Sequence, residues 1–242
     1  MGVSLAGRGC RRGGVAGVFA VAAAIVALGG LGSGASAQVE KVGLLIGYNT
    51  AAMNMVFSSF NNEVNWTRSG RFTSSFGYHA GASAEIPLSE IELRGLPYML
   101  SIDPTALFVS KGGKYGGRIT ATRYGVDYPG YYTVSAYYAE ILVPISFKRE
   151  FSSYNVKASV GPSISLGLFG QQKYTVPDYY NEKHTQSTFD PNEGLDRVDA
   201  GVFVSVSAEF GETITIGVRY GSGFWDESIS SAAVTLGYNI RL

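Results

Sequence analysis

Arg197-Val198-Asp199-Ala200-Gly201-Val202-Phe203-Val204-Ser205-Val206-Ser207-Ala208-Glu209-Phe210 is the stretch that decides the fold. Val198, Ala200, Val202, Val204, Val206, Ala208 and Phe210 hold one parity. Arg197, Asp199, Gly201, Ser205, Ser207 and Glu209 hold the other, with Phe203 the one large exception. Successive side chains of a strand point to opposite faces, so this run has one apolar face and one small, polar face. Just upstream, Val156, Ala158, Val160, Pro162, Ile164, Leu166 and Leu168 alternate with Lys157, Ser159, Gly161, Ser163, Ser165 and Gly167. Such runs last about 10 to 13 residues, against a usual strand of about 5–6 and the roughly 9–11 that cross a bilayer.

Six further segments carry the same period. Their apolar parities are Val42–Tyr48, Tyr78–Ile86, Tyr98–Phe108, Tyr137–Phe147, Ile214–Tyr220 and Val234–Leu242. No helical period is sustained after residue 37. The links alternate in length. Short ones are expected around Ser89–Gly95, Lys148–Tyr154 and Gly211-Glu212, and longer ones around Thr50–Ser75, Ser110–Tyr131, Gly170–Asp196 and Gly221–Ile229. Short turns at one end and long loops at the other are the arrangement of a bacterial outer-membrane barrel. The fold class predicted is all-β: an eight-stranded antiparallel transmembrane β-barrel in up-and-down order, with both termini on the periplasmic side.

The charges decide which face meets lipid. A soluble eight-stranded barrel turns its apolar face inward, and a membrane barrel turns it outward. On the polar parity sit Glu85, Asp103, Glu140, Asp199 and Glu209, and with them Lys111, Lys157, Arg197, Arg219 and Arg241. A narrow interior pairs such charges, because an unpaired buried charge is costly. These residues and His79 are therefore the expected interior polar and charged set, with a structural role. The other parity is nearly free of charge and ends in aromatics such as Tyr48, Tyr78, Tyr98, Phe147, Phe210, Tyr220 and Tyr238, as an interfacial girdle requires. A soluble sandwich would explain the alternation but neither the strand length nor the rhythm of the links.

Composition agrees. Lysine plus arginine and aspartate plus glutamate number 19 each, so no basic excess points to nucleic acid. Glycine, at 32 residues, and tyrosine, at 16, are abundant, while there is one cysteine and there are two histidines. That rules out an internal disulfide and a cysteine-cluster metal site.

The first 37 residues read as a separate address. Arg8, Arg11 and Arg12 precede an apolar run from about Val15 to Leu31, and Ala35-Ser36-Ala37 follows. Basic, apolar and small in that order predict a secretory signal peptide over 1–37, cleaved before Gln38, and a barrel domain over 38–242. The alternative is a retained anchor, but the run is short for a spanning helix and interrupted by glycine. Cys10 precedes the apolar run, which excludes a lipoprotein signal.

Tyr78-His79-Ala80-Gly81-Ala82-Ser83-Ala84-Glu85-Ile86-Pro87-Leu88 resembles the G-F-H-A-G-x-x-x-E-x-P-L strand of the PorT-like outer membrane β-barrel family. Ile102–Gly112 is similar to that family's L-x-P-E-L-x-Y-x-x-K-G strand, with Thr105 standing where the pattern has an inward Glu. Tyr138-Ala139-Glu140-Ile141 resembles Y-L-E-I-P, Val160-Gly161-Pro162 resembles A-G-P, and Gly217-Val218-Arg219-Tyr220 resembles G-x-R-Y. The resemblance implies a barrel fold and an outer-membrane address, and no shared reaction.

Constellations that could carry chemistry are few. His184 shares a long loop with Asp178, Glu182 and Asp190, an arrangement that could activate water but is common by chance. His79 and Glu85 share the inward parity, where an interior hydrogen bond is the simpler role. Asp190, Asn192, Glu193 and Asp196 have the oxygens of a calcium loop, but Gly194 falls at the wrong place, so a solvated turn is expected. Gly112–Gly117 lacks the spacing of a phosphate loop. No catalytic residue, metal or cofactor is expected.

Phe57, Phe60, Trp66, Phe72, Tyr128, Tyr131, Tyr132, Tyr174, Tyr179, Tyr180 and Phe189 populate the long loops. Rigid aromatics among Ser, Asn and Gly suit a recognition surface, and equally a cap packed over the barrel. Two function classes follow. One is a non-enzymatic barrel with a structural, adhesive or partner-binding role through its loops. The other is a small transport or secretion-associated barrel or narrow channel. Outer membrane lipid, the barrel-insertion machinery and an envelope protein or surface ligand are the partners expected.

Overall fold

The computed structural model describes residues 39–53, 64–67, 72–121, 126–175, 183–189, 197–224 and 229–242. The strand segments are β1 (Lys41–Met53), β2 (Val64–Thr67), β3 (Phe72–Leu93), β4 (Leu96–Ile102), β5 (Thr105–Ala121) and β6 (Val126–Leu142). They continue with β7 (Ile145–Glu150), β8 (Tyr154–Thr175), β9 (Lys183–Ser187), β10 (Val198–Phe210), β11 (Ile214–Gly223) and β12 (Ile229–Arg241). Among the described residues there is no helix.

All pairings are antiparallel, and they close on themselves. β1 pairs β3, and β3 pairs both β4 and β5. β4 pairs β7 while β5 pairs β6. β6 and β7 both pair β8, β8 pairs β10, and β10, β11 and β12 follow in turn. β12 returns to β1 over its whole length, from Lys41↔Arg241 to Met53↔Ile229. A closed ladder leaves the wall of the barrel no unpaired edge.

Prolines mark the two places where a strand is interrupted. Pro104 separates β4 from β5 and Pro144 separates β6 from β7. Proline cannot donate to a ladder, yet both prolines accept. Ala84 N–H donates to Pro104 O at 3.0 Å and Asp103 N–H to Pro144 O at 3.2 Å, so the lines of strand continue through each break.

Alternation sets the burial. Lys41, Gly43 and Asn49 are buried while Leu44, Ile46 and Tyr48 between them are exposed. On β10 and β11, Val202, Val204, Val206, Ile216 and Val218 are each about half exposed, although they are the most apolar residues of their strands. Between Tyr137 and Phe147 the outward residues Ala139, Ile141, Val143 and Ile145 are all apolar. Ten steps at about 3.4 Å, tilted by about 40°, span roughly 26 Å, which fits the apolar band of about 25 Å on such barrels.

Several links differ from the expectation. The turn from β3 to β4 is Arg94-Gly95 alone rather than about ten residues, with both residues at positive φ (52° and 75°). Paired left-handed residues match the twist of a hairpin. The bulge between Pro87 and Ser89 disrupts the alternation that would have carried the strand reading to Leu93. The turn between β10 and β11 takes in Thr213 as well, whose N–H returns to Phe210 O at 3.2 Å. At the other end, segments expected as loops are strand. β5 and β6 pair as far as Ala121↔Val126, β8 runs to Thr175, and β9 pairs back along it. The sequence of these segments no longer alternates apolar with polar residues, while the backbone ladder persists. β3 and β8 are 22 residues long and β5 and β6 are 17, against 10 to 13 for β1, β10, β11 and β12.

Candidate functional site: a filled lumen

Every stave places small residues beside long ones on the inward parity, and the long ones meet in the lumen. Nearest the short turns, Glu85 accepts from Lys148 Nζ at 2.5 Å and from Lys157 Nζ at 2.7 Å. Lys157 also donates to Asp103 Oδ2 at 3.0 Å, and Ser101 Oγ donates to Asp103 Oδ1 at 2.8 Å. Lys41 Nζ donates to Glu209 Oε1 at 2.7 Å. Asn239 Nδ2 bridges Thr215 Oγ1 at 2.9 Å and Glu209 Oε1 at 3.5 Å.

An apolar cluster of Leu107, Val109, Leu142 and Phe203, with Leu45 against it, fills the next section. Beyond it Glu140 accepts from Lys111 Nζ at 3.3 Å, from Arg219 Nη2 at 3.2 Å and from Ser165 Oγ at 3.2 Å. Leu142, Phe203 and Arg219 line both the lower cavity of about 150 Å³ and a second one of about 10 Å³ above it. His79 Nε2 lies 2.9 Å from Thr235 Oγ1. The imidazole occupies the space that a side chain at Gly47 would need, so glycine on β1 makes room for histidine on β3.

The far end is stoppered from above. Thr188 and Phe189, just past β9, are buried, and the Phe189 ring meets Tyr138 edge-on at 5.5 Å between centroids. Gly167 lies beneath that ring, and a Cβ there would overlap it. Thr188 Oγ1 donates to Ser135 O at 3.1 Å, which fastens the segment to β6.

The structure places the expected interior set as follows. His79, Glu85, Asp103, Lys111, Glu140 and Glu209 are buried, and Lys157, Asp199 and Arg219 are partly so. Two arginines require correction. Arg241 has a side chain 65% exposed and pairs outside with Glu212 at 3.3 Å and Glu40 at 3.6 Å. It follows the inward parity but sits on the last turn of the ladder, below the lumen. Arg197 is also exposed, at the opposite end, its guanidinium 5.8 Å from the Phe189 ring. In their place Lys41 and Lys148 carry interior charge, both buried and both ion-paired. Lys148 shares the parity of Glu140 and Ser146, which was the signal for it; Lys41 opens a strand whose inward parity includes Leu45, which hides it. Interior acids and bases stay balanced, with different cations.

His184 lies on β9 opposite Tyr174. Asp178, Glu182 and the 190–196 segment lie outside the described residues, as do the side chains of the long-loop aromatics other than Phe189.

A chain whose strands close into such a barrel, apolar outward and charged inward, is of the outer-membrane type. The sequence profile of the outer membrane protein beta-barrel domain matches residues 37–228, and the chain belongs to that family of the bacterial outer membrane. Among solved structures, the attachment invasion locus protein Ail of Yersinia pestis, in complex with the heparin analogue sucrose octasulfate, aligns at 10% identity. That alignment covers 84% of this chain and 100% of Ail, with a TM-score of 0.36. The translocator domain of the autotransporter NalP from Neisseria meningitidis aligns at 11% identity over 91% of this chain and 97% of its own, with a TM-score of 0.25. No curated protein matches.

Proposed function

We propose that this is a non-enzymatic, eight-stranded barrel, closed to solutes, that acts through the part of its wall raised beyond the membrane. Counting β4 with β5 and β6 with β7, each pair joined across a proline, and setting aside the short β2 and β9, which each pair one strand only and lie outside the closed ring, gives eight staves. Residues 1–37 are its signal peptide, and the exported chain of a two-membrane bacterium begins at Gln38. The short turns face the periplasm and the long strands face outward. The observation that carries the reading is the lumen: Glu140 held between Lys111 and Arg219, with Leu107, Leu142 and Phe203 directly below. An eight-stranded barrel is just wide enough for side chains to fill it. Outer-membrane lipid and, during biogenesis, the barrel-insertion machinery are its partners, with an envelope protein or surface ligand on the raised wall.

Planar-bilayer recording of the purified protein tests this. The expected trace is silent, with conductance appearing on Glu140→Ala or Arg219→Ala. Steady unitary currents in the range of general porins from the wild type would sink the closed reading and favour the narrow channel. The second reading, a small secretion-associated barrel, rests on the PorT-like strand motifs around His79 and Glu140. Crosslinking in native outer membranes separates the two, since a dedicated secretion partner would favour the second.

A further inference from the structure

At the short-turn end one hairpin carries on past the closed wall. Phe151, Tyr154 and Phe210 stand in a row there, with centroid separations of 5.0 and 6.3 Å, and such rings mark the level where hydrocarbon gives way to headgroups. Arg149 ties Tyr98 to that row, 5.9 Å from its ring and 4.9 Å from the Phe151 ring. Ile91 is the register partner of Tyr98, and the pairs Glu92↔Pro97 and Leu93↔Leu96 lie beyond it, towards the turn. The two edges of this hairpin differ. On the β4 side Pro97 has no N–H to offer a further strand. On the β3 side the ladder with β1 ends at Lys41↔Glu85, and among the described residues Ser89–Leu93 pair β4 alone.

Chain length keeps the β3 edge bare. Glu40 N–H donates to Glu85 O at 2.9 Å. The same register continued sets Val39 opposite Pro87 and Gln38 opposite Leu88, so an exported chain that begins at Gln38 runs out at the bulge. The links outside the described residues, from 54–63 to 225–228, all join strands at the other end of the barrel, with the wall between them and this hairpin. Ser89–Leu93 is thus about 17 Å of strand with one row of peptide groups open. Hydrocarbon offers such a row nothing, whereas beyond the ring level another strand can take it as a template.

We infer that Ser89–Leu93 of β3 is a docking edge for an extended segment of a periplasmic protein, one that alternates lysine or arginine with apolar residues. The inference rests on the reading that the exported chain begins at Gln38 and that the short turns face the periplasm. Main-chain pairing supplies the contact, and the side chains select the partner. Glu90 and Glu92 share one face of the edge, and both are exposed. Ile91 and Leu93 share the other, where Leu93 and its register partner Leu96 are exposed. A docking strand therefore meets two carboxylates on one face and an apolar surface on the other. A second copy of this chain is selected against. Two such edges paired antiparallel about Ile91 set Glu90 opposite Glu92 twice, and like charges directly opposite are unfavourable.

Fluorescence anisotropy with the exported protein in a non-ionic detergent tests the edge. The probe is a fluorescein-labelled nonapeptide that alternates lysine with valine. The other arms are a peptide of the same composition with its lysines in one block, and the alternating peptide N-methylated along its backbone. An opposite-charge pair across a ladder contributes up to about fivefold, so Glu90→Gln or Glu92→Gln should weaken binding about two- to fivefold and the pair about tenfold. Glu212→Gln, an exposed acid on a different turn at the same end, should leave binding unchanged. The blocked and N-methylated peptides should bind the wild type at least about tenfold more weakly, since neither can add a matched strand. Equal binding of the three peptides, or of the alternating peptide to wild type and double variant, would overturn the inference. A protein dimer that the peptide dissolves would assign the edge to a second copy and overturn it too. N-terminal sequencing of the same sample reads the chain start separately. A start at Gln38 without peptide binding defeats the docking edge alone; a longer N-terminus defeats the reading on which it rests. An impermeant maleimide should label Arg94→Cys only after the outer membrane is permeabilised, and labelling in intact cells would rule out a periplasmic partner.

Discussion

Lys148 and Glu85 meet in the lumen at 2.5 Å although their strands, β7 and β3, are not neighbours; β4 lies between them. The contact passes over Ser101, which is fully buried and small enough to leave the path clear. Glu85 is thus a tie across three staves, and Lys157 extends it to β8.

Removing one member should therefore be costly. Glu85→Ala strands the buried Lys148 ammonium and leaves Lys157 only its bond to Asp103, and breaking a buried pair on one side costs about 3–5 kcal/mol. Urea unfolding in lipid vesicles should show that loss. Lys148→Met, which leaves Glu85 its bond to Lys157, should cost less. Equal, negligible effects from both would mean the tie is not formed.

Register makes an independent prediction. Val160 and Val204 are directly paired and both outward, whereas Ser163 and Ser205 lie on the inward parity. Arginine at either valine should destabilise the barrel by about 2–4 kcal/mol near the midplane. Single cysteines at the valines should react with a lipid-phase reagent, and cysteines at the serines should not. Equal labelling of both parities would refute the register.

Phe189 should control access from the outer end. Phe189→Ala removes the ring from Tyr138, and Gly167→Ala pushes it out by steric overlap. Either change should speed the reaction of a cysteine at Ser165 with a water-soluble thiol reagent added outside. Unchanged rates in both variants would show that access to Ser165 does not depend on the ring.

Export has its own check. N-terminal sequencing of the membrane fraction should read Gln38-Val39-Glu40. A retained N-terminus, or a soluble periplasmic pool, would contradict the address read from residues 1–37.

Within the membrane band the sequence was readable because lipid outside and packing inside impose opposite demands on adjacent residues. Val202 and Phe203 are neighbours in the chain, one about half exposed and the other 4% exposed. Beyond the band that contrast ends. Lys173 and Gln172 are both polar, so nothing in their chemistry revealed that β8 continues past Phe169. The bulge there compounds this, since Tyr137↔Phe169 is followed by Tyr138↔Gly167 and the inward parity changes. The interior charges were readable as a set but not as pairs. Parity names the candidates, and only the ends of the ladder decide whether an arginine such as Arg241 reaches the lumen or hangs below it. Phe189 carried no signal of its own, because its burial depends on a glycine some twenty residues earlier.

The seam between β1 and β12 has a consequence for assembly. Its partners stand up to 200 residues apart, as in Lys41↔Arg241, and such distant pairing is slow to form. Until Ile229–Arg241 arrives, β1 and β11 each present a bare row of peptide groups. Neither edge has a mate within its own chain, and lipid offers none. A partly delivered polypeptide must be shielded by something outside itself, since the seam cannot close before β12 is present. The thirteen residues of β12 thus act as a clasp: their loss would leave every other strand able to pair and the whole unable to shut.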